Sequence, residues 1–137
     1  MLHIFLRVVE AHLRRLCPEA SERARFGVVS FVHRFGSSLN RHLHFHCCVL
    51  DGLFELAADG EAHFHPARTI TPAEVEVLTE QIRCRVLRWF SRNGILDRAD
   101  ASDMLDWANG GGFSLDASVR IGADDRAGLE RLLRCDH

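Results

Sequence analysis

Apolar residues first recur at helical spacing. Ile4, Phe5, Val8, Val9, Leu13 and Leu16, with His12 among them, fall on one face, and Pro18 ends the pattern. The period then changes. "FGVVSFVHRF", Phe26 to Phe35, is rich in β-branched and aromatic residues and predicts a strand. "GSSLN" predicts a turn and "HLHFHCCVL" a second strand. Asp51-Gly52 is a tight-turn dipeptide, so "LFELA" is expected as a third strand. After a turn at Asp59-Gly60, "EAHFH" is expected as a short fourth. Strands joined by such short turns pair antiparallel.

Helical spacing returns at "TPAE". Thr71 is a natural N-cap, Pro72 suits the first helical position and Glu74 closes a capping box. Val75, Leu78, Ile82, Val86, Trp89 and Phe90 supply the apolar face, and Asn93-Gly94 stops it. A short helix is expected over 101–107. A glycine turn and a strand-like alternation follow in "NGGGFSLDASVRIG". A last helix is expected from Asp124 to Leu133, opening at an Asp cap. The order predicts an α+β domain: an antiparallel sheet with helices packed on it.

The 137 residues suit one domain, residues 1–137, and 47% hydrophobic with 26% charged is ordinary for a globular chain with a core. The apolar runs fall far short of the ~20 residues that span a bilayer, so no membrane partner is expected. Charges interrupt the first helix too early for a signal peptide, so the cytoplasm is the expected compartment. The five cysteines, Cys17, Cys47, Cys48, Cys84 and Cys135, include no CxxC pair and are expected as buried free thiols. The net charge of −2 is unevenly spread. Residues 1–50 carry seven Arg against Glu10, Glu19 and Glu22, a net of +4, and the remainder is acidic. Every basic residue is Arg, whose planar fork suits phosphate. The chain contains no Tyr.

The candidate chemistry lies in the second strand. Residues i and i+2 share a strand face, so His42, His44 and His46 face one way and Leu43, Phe45 and Cys47 the other, toward the core. Same-face neighbours stand about 7 Å apart, close enough for two imidazoles to meet on one metal; His42 and His46, about 13 Å apart, are too far for all three. His44 and His46 are the expected pair, because His42 adjoins the turn. Imidazole chemistry by itself permits zinc. An alternative is a non-catalytic zinc or interaction module built from His42, His44 and His46 with Cys47 or Cys48.

The stretch "RFGSSLNRHLHFHCCVLDGLF", Arg34 to Phe54, resembles the core motif of the two-tyrosine rolling-circle transposases of the HUH endonuclease superfamily. It follows the form "RFGSALNxxxHFHxLVLDGxF" almost continuously. The likeness extends to "FGVVSFV" upstream, and downstream to "FHP" at 64–66, "TPAEVEVL" and "GLERLLR" at 128–134.

The resemblance implies an antiparallel sheet with the histidine strand at its centre, and a nuclease that cuts and rejoins single-stranded DNA during transposition. It implies Mg²⁺ or Mn²⁺ on His44, His46 and a third ligand, with zinc as the alternative. His33, Asp51, Glu55, His63 and His65 all stand as candidates for that ligand. It implies that Arg34 and Asn40 touch DNA or shape the turn. It also implies a tyrosine nucleophile forming a 5′-phosphotyrosine link, expected after "GLERLLR". Here "RLLRCDH" follows, with Cys135 at or beside that place, so no catalytic residue is assigned and cleavage by this chain is expected to fail. The abrupt start and the missing tyrosine read as a partial transposase domain, a fragment from a decayed or frameshifted copy.

Overall fold

In the computed structural model a three-stranded antiparallel sheet is packed on one side by helices, which is the expected α+β class. The structure describes residues 1–35 and 41–134; at 33–35, 41–43 and 109 it describes the backbone. The turn expected at "GSSLN" lies outside the described residues.

Helix α1 spans Leu2–Leu16 and buries Ile4, Val8, Val9, His12 and Leu13. Arg14 and Arg15 sit in its last turn, where the carbonyl ends favour cations. Arg14 also grips Glu10 and donates to the Ala24 carbonyl at 2.6 Å, which fixes the chain as it enters the sheet. Strand β1 spans Arg25–Phe35, β2 Arg41–Leu56 and β3 Ala62–Pro66, in the order β1-β2-β3. The histidine strand is thus central.

The sheet differs from the sequence expectation at Asp51-Gly52. No turn forms there, and β2 runs through the dipeptide as one strand. The β1–β2 register shifts between Phe26 and Val28, so β2 carries extra residues at this point. Gly52 serves close approach. A Cβ there would meet the Phe64 ring at 2.6 Å and crowd the His65 carbonyl, so the absent side chain makes room for β3. Asp59-Gly60 does form a hairpin turn, with Gly60 at φ 85°.

Val9, Leu13, Cys17, Ala24 and Leu53 form the core, joined by Phe5, Phe26 and Val49. Helix α1 therefore covers the sheet face that carries Val49 and Leu53. Helix α2, Pro72–Arg92, packs against α1. The Thr71–Glu74 capping box is present as expected. Its buried residues are Leu78, Val86, Leu87 and Arg83. Arg83 is tolerated inside because Glu80 takes two of its N–H groups, at 2.7 and 3.1 Å, and the Met104 carbonyl a third at 3.3 Å.

Helix α3 is Arg98–Leu105, starting earlier than expected because Asp97 caps it through the Ala99 amide. A 3-10 turn follows at Ala108–Gly112, and the alternation after it forms no strand. That segment instead reaches the sheet end through Arg120, which donates to Thr69 Oγ1 at 2.6 Å and to Asp51 at 3.3 Å. Helix α4, Arg126–Leu133, is capped by Asp125. Among the described residues no helix is long and apolar enough to cross a membrane.

Candidate functional site

The register sorts the β2 side chains onto two faces. Val49 and Leu53 lie in the core, so the alternation puts His44, His46, Cys48, Leu50 and Phe54 on the opposite, open face. His44 and His46 meet there with ring centroids 5.1 Å apart and planes at 73°. His46 is exposed and His44 half-buried. The ladder pairs Phe31 with His46 and the backbone of His33 with His44. Phe45 lies on the α1 side but is half-buried beyond the core, at an end where Val32 is 49% exposed.

The side chain of His33 lies outside the described residues, and the other expected ligands separate from this pair. Glu55 and His65 lie on the covered side and bind one another, His65 Nε2 to Glu55 at 3.2 Å. Ser21 donates its hydroxyl and its amide to the same carboxylate. Those Ser21 bonds, and then His65, hold the Glu55 carboxyl below its ordinary range. His63 pairs with Glu55 in the register and so shares that side. Asp51 is engaged by Arg120. Cys47 also faces the covered side, against Ser30 Oγ at 3.2 Å, away from the imidazoles. Among the described residues no group of three or more His, Cys, Asp or Glu side chains comes together around a metal-sized space. Among the described side chains this face offers two imidazoles. Two imidazoles would suit a divalent ion only if its remaining ligands came from outside the described side chains.

Asn40, Cys135 and the side chains of Arg34 and His42 lie outside the described residues. Of the four thiols described, all free, only Cys17 is buried, donating to the His65 carbonyl at 3.4 Å; Cys47, Cys48 and Cys84 are half-buried. Burial pushes the Cys17 thiol up, which keeps it protonated and inert.

Two features of the open face escape the sequence reading. Phe54 and Phe64 stack at 4.8 Å, 40% and 41% exposed, and Arg25 is paired with Phe54 across β1. The turn expected at Asp51-Gly52 hid the pairing of Arg25 with Phe54. One signal was available: the two phenylalanines stand at equal distances either side of Asp59 in the true hairpin.

The described geometry is thus a histidine pair on the central strand of an antiparallel sheet with one face open. A family model described as "Putative transposase" (Y2_Tnp) matches residues 27–136, most of the chain, and the chain belongs to that family. No curated protein and no solved structure matches it.

Proposed function

We propose that this chain is a DNA-binding, HUH-type domain of a rolling-circle transposase, acting on single-stranded DNA in the cytoplasm. The observation that carries the reading is the His44–His46 pair, 5.1 Å apart on the open face of the central strand. His44 and His46 hold a divalent ion, Mn²⁺ or Mg²⁺, with zinc as the alternative that imidazoles permit. When bound, the ion supplies Lewis-acid polarisation of a phosphate ester.

The chain's own residues do the rest. The β2 backbone, paired with β1 at both histidines, holds the two rings at a fixed spacing. The openness of the face lets a strand reach them. Arginines of the basic first 50 residues, Arg34 among them, attract the phosphates, and Asn40 belongs to the same contact region.

Cleavage through phosphotyrosine needs a tyrosine hydroxyl, and these 137 residues contain none. The chain by itself therefore binds and positions DNA without completing strand transfer. Two measurements test this. Mn²⁺ should raise the melting temperature of the wild type and leave His44→Ala/His46→Ala unmoved; equal shifts in both would sink the metal site. Incubation with single-stranded DNA and Mn²⁺ should give no covalent adduct on a denaturing gel, and an adduct would reveal a different nucleophile.

A further inference from the structure

We propose that Arg25, Phe54 and Phe64 form a base-stacking platform for single-stranded nucleic acid, one row across the sheet on the face that carries His44 and His46. The proposal rests on the reading above and extends it to residues outside the histidine motif.

The two registers define the row. Arg25 of β1 is paired with Phe54 of β2, and Phe54 with Phe64 of β3. Directly opposed residues share a face. That face is the open one, because the neighbours Phe26 and Leu53 point into the core. The phenyl rings are 4.8 Å apart at 42°, and each leaves about two-fifths of its surface to solvent. Gly52 is what seats Phe64: the ring lies over the space a Cβ would take. The missing side chain at Gly52 thus makes room for a phenyl ring on the exposed side of the sheet instead of in its core.

The charge beside the rings selects the occupant. Among the described residues the Arg25 guanidinium is in no ion pair, and its hydrogen bond to the Ala24 carbonyl is a long 3.5 Å. A cation at one end of an aromatic pair fits a nucleotide, with phosphate on Arg25 and bases over Phe54 and Phe64. Stacking on an aromatic ring is tolerant of sequence, because every base has a π-face. It requires unpaired bases, so the row favours single strands over duplex.

Binding of the full chain to a labelled oligothymidine, and to an abasic strand of equal length, tests the platform. The wild type should prefer the base-bearing strand by about tenfold or more. Phe54→Ala/Phe64→Ala should erase that preference with its melting temperature retained, and Phe64→Tyr should keep it. Arg25→Gln should weaken both strands alike and flatten the salt dependence. His44→Ala/His46→Ala should lose the metal response yet keep the base preference, which separates the platform from the metal site. Equal affinity of the wild type for both strands would overturn the platform alone. No binding to either strand would overturn the DNA reading with it. A wild-type dimer that the double phenylalanine variant dissolves would show that the row joins two copies of the chain, and would overturn the proposal.

Discussion

Leu53 and Phe54 are adjacent in one strand and live under different rules. Leu53 is 0% exposed in the core beneath α1, whereas Phe54 is 40% exposed on the opposite face. Glu55, on the Leu53 side, is held by Ser21 and His65, so that face is closed by hydrogen bonds at its end as well as by packing. The open face keeps apolar rings and imidazoles beside water. Apolar character on both faces therefore does not mean burial on both. One face stabilises the fold, and the other holds surface whose use lies outside the fold.

The largest expected effect separates the faces directly. Leu53→Ala should cost about 2–5 kcal/mol, because it opens a cavity between the sheet and α1. Phe54→Ala should cost much less, since a large part of that ring is already wet. Chemical denaturation of the two variants measures the difference, and equal losses would mean that the open face is covered after all. Gly52→Ala comes next. Its new methyl meets β3 backbone and the Phe64 ring, so about 1–3 kcal/mol of strain is expected, with Phe64 displaced. If Gly52→Ala binds base-bearing strands as tightly as wild type, the seat under Phe64 has no functional role.

The smallest effects are in pH, and they belong to the covered side. His12 is buried between α1 and α2, with Arg15 3.1 Å from Nδ1. Its Nε2 stands 3.6 Å from Glu74, too far for a hydrogen bond. Burial lowers its pKa below 6.5, against the pull of Glu74. The folded state thus disfavours the proton. The stability contributed by neutral His12 is present above pH 6.5 and is lost as pH falls below it. Glu74 is held at about 2, first by Arg68 and then by Thr71. Its contribution is present above pH 4.5 and is lost between 4.5 and about 2. Melting temperature followed from pH 8 downward should show both declines. His12→Leu should remove the upper one and Glu74→Gln the lower, while His44→Ala/His46→Ala, on the open face, should leave both in place.

Much of this was legible in the chain itself. The amphipathic period of α1, the Thr71–Glu74 capping box and the alternation at His44-Phe45-His46 are local signals, each read within a few residues. Local sterics and hydrogen bonding suffice for them. The same local reading misplaced a turn at Asp51-Gly52, because the dipeptide looks identical whether its glycine bends the chain or admits a neighbour. Only β3 decides: Phe64 and the His65 carbonyl occupy the space that a side chain would need.

Sequence alone determined the family motif, the histidine pair and the absence of tyrosine. Tertiary structure decided which face is open, because that depends on where α1 lands. It took Glu55, His63 and His65 to the side away from the imidazoles, and it aligned Arg25, Phe54 and Phe64 from three strands into one row. Contacts between residues distant along the chain are set by register and packing, and no local pattern encodes them.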